Sequence, residues 1–147
     1  MIFVDTSALY AVLDRDDQNH ALAKSTWSSL LQADDALIVT NYVVVETTAL
    51  VQHRLGMEAV RALCGDILPA LDLHWIGEDE HRHAQNALLA ADRRKVSLVD
   101  CSSFHVMRSR MMRTAFAFDP HFREQGFEVV PTSVTGGDER APTKDSG

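Results

Sequence analysis

Length and composition indicate one globular domain without the basic character of a typical nucleic-acid binder. The chain has 147 residues, of which 46% are hydrophobic and 24% charged, and its formal net charge is −7. That length fits one domain, and the apolar and charged fractions are those of a soluble globular protein. The acidic total counts against a partner such as RNA or DNA unless the basic residues are clustered.

The sequence carries no signal for export, membrane insertion or thiolate chemistry. Asp5 interrupts the N-terminal segment where a signal peptide needs a basic and then an apolar stretch. No apolar run approaches the ~20 residues of a membrane span. Cys64 and Cys101 are far apart and form no Cys-x-x-Cys pair, so we interpret them as free thiols in a reducing compartment. We therefore expect a cytoplasmic protein.

The first half of the chain alternates short apolar runs with helical patterns. The β-forming run over residues 2–4 is too short for a helix and predicts a buried strand. Asp5 ends this strand, and Thr6 or Ser7 can cap the short helix that follows. The other elements predicted in this half are a helix over 20–31, a strand over 36–40, a helix over 42–55 capped by Asn41, and a helix over 57–68.

The second half continues this alternation. Its predicted elements are an edge strand over 71–76, a helix over 78–94, a helix over 101–112 capped by Asp100, a strand over 114–118 ending at Asp119, and a strand over 127–130. The pattern predicts an α/β fold with three α/β/α layers, in which helices flank a parallel, twisted sheet of about five strands. Residues 1–134 form the predicted domain. The Gly, Pro, Ser and charge of residues 135–147 predict a disordered tail.

Four acids are placed where predicted strands end or the following helices begin. In an open parallel sheet, ligands bind beyond the carboxyl ends of the strands, so these acids fall at the expected functional edge. Some of them also have simpler interpretations as helix caps or as a turn former before Pro120. A buried Glu without a capping role is harder to explain, because buried Glu is rare unless it is paired. The four acids are Asp5, Glu46, Asp100 and Asp119.

Four carboxylates that converge need a positive partner. Two carboxylates ~4 Å apart repel by about 4 kcal/mol at an effective dielectric constant of 20. No Lys or Arg is adjacent in sequence to any of the four acids. A bound divalent cation is the simplest partner, and all-oxygen ligands suit Mg²⁺ or Mn²⁺ and disfavour zinc. Such a site suits phosphoryl chemistry, because the metal can activate a water without a His or Cys nucleophile.

The ordered set of these segments resembles the PIN domain, specifically the VapC-type toxins of bacterial toxin–antitoxin pairs. The matching segments are IFVDTSAL, TNYVVVET, LVDCSSFHVM and FAFDPHF, and the resemblance covers residues 1 to about 131. It implies a Mg²⁺- or Mn²⁺-dependent endoribonuclease that hydrolyses phosphodiester bonds in RNA by a metal-activated water. It also implies a homodimer and a small antitoxin partner whose C-terminal part blocks the site.

The resemblance implies roles for individual residues. The four acids would form the catalytic and metal-binding quartet, with Asp5 and Asp100 as the principal metal ligands. Thr6 and Ser7 match the hydroxyl pair that supports the site and are expected on the substrate side of it. Asn41 matches a polar position nearby. The tail beyond residue 135 lies past the usual end of the family, so the resemblance assigns it no role.

The basic residues form two dense groups, Arg93–Lys95 and the set Arg108, Arg110 and Arg113. We expect Arg110 and Arg113 to share a helix face at i, i+3 and to hold the phosphate backbone of RNA, with dimerisation doubling the surface. Ordinary solubilising charge is the alternative interpretation of both groups. His121 lies near the last of the four acids and could touch substrate, but a turn residue is the expected role.

Two other functions fit parts of the pattern. A catalytically silent PIN-like module that acts through protein binding would share the fold, so activity separates it from the enzyme. A phosphoaspartyl signalling or phosphatase domain also places an Asp after its first strand. Haloacid-dehalogenase-type phosphatases need a second Asp two residues later, where this chain has Ser7. The sequence also lacks a glycine-rich phosphate loop of either common pattern, which disfavours this class.

Overall fold

A five-stranded parallel sheet lies at the centre of the fold. The computed structural model describes residues 1–132, so the tail predicted over 135–147 lies outside the described residues, as does the end of the predicted domain at 134. The spatial order of the strands is β3-β2-β1-β4-β5, and every neighbouring pair is parallel. The strands are β1 (Ile2–Val4), β2 (Leu37–Thr40), β3 (Asp72–His74), β4 (Thr114–Phe116) and β5 (Glu128–Val130).

Seven α-helices in the described part of the chain flank this sheet, which confirms the predicted α/β architecture. They are α1 (Thr6–Leu13), α2 (His20–Gln32), α3 (Asn41–Leu55), α4 (Met57–Ala62), α5 (Glu78–Ala91), α6 (Leu98–Ser109) and α7 (His121–Glu124). A π-helical turn and a 3₁₀ turn continue α4 as far as Ala70, so the helix predicted over 57–68 is irregular at its end. Within residues 1–132, no helix is long and apolar enough to cross a bilayer.

The central strand β1 explains why the apolar runs in this sequence are continuous. Phe3 and Val4 are completely buried, because helices cover both faces of the sheet. The strands β2 and β3 lie on one side of β1, and β4 and β5 lie on the other. Successive strands are therefore added on one side of β1 as far as β3 and on its other side from β4 onwards. The strand order reverses between β1 and β4. A crevice forms at such a switch point, beyond the carboxyl ends of the two strands, and this is where open α/β sheets bind ligands.

Three helix caps differ from those predicted. Asp5 itself caps α1, and Thr40 caps α3, so Asn41 is already the first helical residue. Ser97 caps α6 in a capping box with Asp100, which is therefore the third residue of the helix and not its cap. In each case the cap lies one to three residues before the predicted position.

Candidate metal centre

Asp5 is held at the switch point by backbone and side-chain hydrogen bonds. Its backbone N–H donates to the carbonyl oxygen of Phe116 at the end of β4, at 3.0 Å. Its Oδ2 accepts from the backbone N–H of Ser7 at 3.1 Å and from the Ser7 hydroxyl at 2.6 Å. The Ser7 oxygen in turn accepts from the backbone N–H of Phe118 at 2.9 Å. Ser7 therefore connects the carboxylate at the end of β1 to the chain leaving β4.

Burial makes Asp5 an unusual carboxyl group. The residue is only 4% exposed, and this burial raises its pKa from 3.8 to about 7. The two hydrogen bonds from Ser7 oppose the rise in pKa, and the charges of Asp100 and Asp119 add to it. In the absence of a cation, the Asp5 carboxyl is therefore harder to ionise than a carboxyl exposed to water. A positive charge in the crevice would stabilise the ionised form.

Glu46 reaches the same crevice from α3. It is half-buried, and its pKa is raised first by burial and then by the charges of Asp100 and Asp119. A hydrogen bond with the Thr6 hydroxyl lowers the pKa of Glu46. The Thr6 Oγ1 also accepts a hydrogen bond from the Thr47 hydroxyl at 3.0 Å. Both threonines are buried, so this bond joins the start of α1 to the middle of α3. It fixes the helix that carries Glu46.

Asp100 belongs to the first turn of α6. Its Oδ2 accepts from the backbone N–H of Ser97, and the Ser97 hydroxyl accepts from the backbone N–H of Asp100, both at 3.0 Å. Burial raises the pKa of Asp100, and the Asp119 charge raises it further. The hydrogen bonds to Ser97 and the nearby His121 oppose this rise. The capping box therefore orients the carboxylate without removing its electrostatic penalty.

Asp119 and His121 complete the crevice beyond β4. The backbone N–H of His121 donates to Asp119 Oδ1 at 2.8 Å, and His121 Nε2 lies 3.8 Å from that same oxygen. One ligand atom from each of Asp100, Asp119 and His121 lies within 4.8 Å of the other two. His121 is buried, and a hydrogen bond between its Nδ1 and Glu124 raises the pKa of the imidazole. This region therefore collects two carboxylates and a ring nitrogen at metal-site spacing.

The structure brings the four predicted acids together. The charges of Asp100 and Asp119 raise the pKa values of both Asp5 and Glu46, and the charge of Asp119 raises the pKa of Asp100. Their carboxylates come from the ends of two strands and the first halves of two helices. The donor set fits a divalent cation such as Mg²⁺ or Mn²⁺, because it is rich in carboxylate oxygens whose ionised forms are mutually destabilised. Their catalytic roles stay a prediction.

Arg110 and Arg113 are placed elsewhere. The helix α6 ends at Ser109, so the prediction that these two arginines share a helix face is wrong. Arg110 lies ten residues beyond Asp100, roughly 15 Å along the helix, and its side chain contacts the sulfur of Met1 at 3.8 Å. Arg113 directly precedes β4. Both therefore lie towards the amino-terminal edge of the sheet, opposite the acids, and their role in RNA binding stays a prediction.

The structure assigns other tasks to Asn41 and His121 than the sequence does. Asn41 Oδ1 accepts from the backbone N–H of Ile76 at 2.7 Å, and its amide group donates back to the Ile76 carbonyl at 3.4 Å. It joins α3 to the segment after β3. His121 is expected from the sequence in a turn but lies beside Asp119 and Asp100, at the start of α7. The i, i+3 spacing of His121 and Glu124 is the signal that could have indicated this short helix.

Comparison with curated proteins gives relatives along nearly the whole chain. A model of the PIN domain matches residues 2–128. The chain is 35% identical over 133 residues to the 23S rRNA-specific endonuclease VapC20 of Mycobacterium tuberculosis, covering 89% of this chain and 99% of that protein. It is 28% identical over 119 residues to Ribonuclease VapC26 of the same organism, covering 80% of this chain and 86% of that protein.

Comparison with solved structures gives the same result. The crystal structure of M. tuberculosis VapC20, described as a Sarcin-Ricin loop cleaving toxin, matches with a TM-score of 0.78 and 33% sequence identity. That match covers 86% of this chain and 96% of the other. FitAcB from Neisseria gonorrhoeae matches with a TM-score of 0.64 at 16% identity, over 88% of this chain and 96% of that chain, which shows a shared fold.

Proposed function

This chain belongs to the PIN domain family, and we propose that it is an endoribonuclease of the VapC toxin class that uses Mg²⁺ or Mn²⁺. The observation that carries the proposal is the convergence of Asp5, Glu46, Asp100 and Asp119 beyond the carboxyl ends of β1 and β4. The names of its relatives support RNA as the substrate class, because both are ribonucleases.

In the proposed mechanism, Asp5, Asp100 and Asp119 would hold the divalent ion. A bound divalent ion would lower the pKa of a coordinated water and neutralise charge that develops on the phosphate. Ser7 fixes the rotamer of Asp5 through its 2.6 Å hydrogen bond, and the capping box fixes Asp100. Glu46 has a raised pKa and is half-buried at the crevice, which suits a side chain that takes a proton from the attacking water.

Recognition of RNA by an acidic chain requires local positive charge. Arg110 and Arg113 lie at the far edge of the sheet, so within one protomer they are suited to a distant part of the RNA backbone. Arg93 is nearer the site, since its guanidinium bonds Glu124, which also bonds His121 at the metal centre. We propose that these arginines hold RNA phosphates. Binding should therefore weaken as salt concentration rises, and replacing an arginine should reduce the steepness of this dependence.

We also propose two protein partners, a cognate small antitoxin and a second copy of this chain. Large apolar side chains are exposed on several elements of the described chain, and their exposure supports contacts with other proteins. They include Val45 on α3, Trp75 after β3 and Leu89 on α5, which are each about 70% exposed. The class of toxin also implies action in the cytoplasm, where its RNA substrate is found.

The proposal is tested by RNA cleavage with the purified full chain. We expect cleavage with Mg²⁺ or Mn²⁺ and none after chelation with EDTA. Asp5→Asn should lower the rate on the order of 10³-fold, because it removes a metal ligand that supports several kcal/mol of charge stabilisation. Asp79→Asn is the matched control, since Asp79 is a fully exposed acid at the start of α5.

Two results would contradict the proposal. Unchanged cleavage by Asp5→Asn would separate the activity from this metal centre. Absence of cleavage with every RNA and both ions would favour the catalytically silent protein-binding module.

A further inference from the structure

His121 is the one nitrogen donor among the described residues grouped at metal-site spacing with the acids. It is 9% exposed, so most of its imidazole is shielded from solvent. Its Nε2 lies 3.8 Å from Asp119 Oδ1. Two ligands of one ion with bonds of about 2.1 Å stand at most about 4.2 Å apart. The Asp119 and His121 atoms satisfy that limit, and a ligand oxygen of Asp100 lies within 4.8 Å of both.

The other ring nitrogen of His121, Nδ1, is hydrogen-bonded to a carboxylate, as is usual for histidines that bind metals. Its Nδ1 lies 3.2 Å from Glu124 Oε2, and that same oxygen accepts from Arg93 at 3.2 Å. Histidines that bind metals usually donate their second N–H to a carboxylate, which fixes the tautomer and the orientation of the ring. With the proton on Nδ1, the lone pair of Nε2 is directed towards the acids. Arg93 holds the carboxylate of Glu124 in place.

We propose that His121 is a metal ligand and that it makes this site prefer Mn²⁺ over Mg²⁺. The inference rests on the metal centre of the proposed function and adds to it the choice of ion. Carboxylate oxygens serve both ions, whereas imidazole suits transition metals and is a poor ligand for Mg²⁺. A single neutral imidazole among carboxylate ligands therefore changes the preference between Mn²⁺ and Mg²⁺ without changing the net charge of the ligand set. Glu124 is a positioning residue for this ligand.

The most direct test is pulsed electron paramagnetic resonance of the full-length protein loaded with Mn²⁺ at pH 8. We expect a ¹⁴N coupling from a directly bound imidazole, which disappears in His121→Gln. The control variant is His105→Gln, which changes a histidine on α6 that stacks on His83. It should leave the coupling intact. This measurement does not depend on RNA cleavage. The spectrum of the parent protein is enough to show whether a nitrogen is bound to Mn²⁺, even if a variant fails to fold.

Calorimetric titration measures the selectivity. The ratio of the Mg²⁺ Kd to the Mn²⁺ Kd should fall about tenfold in His121→Gln, because this variant removes the nitrogen ligand. It should fall by a smaller factor in Glu124→Gln, because this variant keeps the nitrogen and removes only its hydrogen-bond partner. Mn²⁺ binding without nitrogen coupling, or an unchanged ratio in His121→Gln, would overturn the role of His121 and leave the nuclease proposal intact. Failure of the parent to bind either ion would overturn both.

Discussion

Two clusters of acids in this molecule have opposite relations to their surroundings. At the start of α5, Glu78 and Asp79 are exposed, and Arg82 bonds them at 2.8 and 3.9 Å. Glu80 in the same turn contacts His74 at 3.0 Å. Acids at a helix N-terminus are also favoured by the helix dipole. The negative charges of this cluster are therefore compensated by Arg82, His74 and the helix dipole, so the cluster does not need a bound cation.

The four acids beyond the ends of β1 and β4 are in the opposite situation. Burial and neighbouring carboxylates raise the pKa of Asp5, Glu46 and Asp100 above their ordinary values. Each of them is therefore harder to ionise in the folded chain than in water. The number of acids in a cluster alone therefore does not indicate a metal site. What distinguishes these four acids is that they are buried or half-buried and repel one another, so a cation would stabilise the folded protein.

The largest expected effect concerns pH and Asp5. The folded pKa of about 7 lies above the unfolded value of 3.8, so the metal-free folded protein retains a proton that the unfolded chain has lost. Its free energy of unfolding should therefore fall as pH rises from about 4 to about 7, by up to about 4 kcal/mol from this group. Asp5→Asn should remove the contribution of Asp5 and so make the fall with pH shallower, while Glu46 and Asp100 keep theirs, as measured by urea unfolding in EDTA at several pH values.

Asn can still accept the hydrogen bonds that cap α1, so this variant tests charge with little change in geometry. Glu78→Gln is the control and should leave the pH dependence of the parent unchanged. A metal-free parent whose stability is constant between pH 4 and pH 7 would contradict the proposed electrostatic penalty.

The next largest effect is stabilisation by metal. A divalent ion at 100 times its Kd should raise the free energy of unfolding by about 2.7 kcal/mol through mass action. Asp100→Asn should lose this gain while its metal-free form is more stable than the parent, because repulsion from Asp119 is removed. Thermal melts with and without Mn²⁺ measure both quantities. Glu80→Gln should keep the full gain, and a loss there would move the metal to the α5 cluster.

A smaller effect is expected at Ser7. Its hydroxyl donates to Asp5 and accepts from Phe118, so it joins the ends of two strands. Ser7→Ala should destabilise the protein by about 1.5 kcal/mol, since hydrogen bonds to charged groups contribute about that much. It should also raise the pKa of Asp5 further, because the Ser7 hydrogen bonds lower it. Chemical denaturation and carboxyl NMR titration measure these changes. A Ser7→Ala protein with the parent's stability and Asp5 pKa would show that Ser7 does not organise the centre.

The smallest effect belongs to the exposed cluster. Arg82→Ala should change the free energy of unfolding by less than about 0.5 kcal/mol, because exposed ion pairs along a helix contribute little. RNA cleavage should be unaffected. A large loss of stability or activity in this variant would remove the distinction between the two clusters.

The sheet and the four acids could be predicted because each carries a local signal. The run Ile2–Val4 followed by Asp5 is a strand that ends in a carboxylate, and the same logic applies to Asp119 after β4. Glu46 could be recognised because an acid within an apolar helix has no capping role. The packing that brings these elements together follows from the alternation of strands and helices, which has few possible topologies.

The failures have equally specific causes. Ser97 lies three residues before Asp100 in a capping-box pattern, so the sequence does carry a signal for the start of α6, although Asp100 is the predicted cap. The end of α6 was not readable, because Met111 adopts φ of 54° without a Gly or Pro to indicate it. The position of the arginines therefore had no local signal. His121 lies on a four-residue helix, which is too short to show a hydrophobic period.

We expect the acids beyond the ends of β1 and β4, and not the exposed acids of α5, to bind a divalent cation. Anomalous diffraction from crystals soaked in Mn²⁺ tests it most directly, because it locates the ion without reference to activity. We expect a strong peak among Asp5, Asp100 and Asp119. A peak at Glu78–Glu80 with none beyond the ends of β1 and β4, or no bound Mn²⁺ at all, would contradict it.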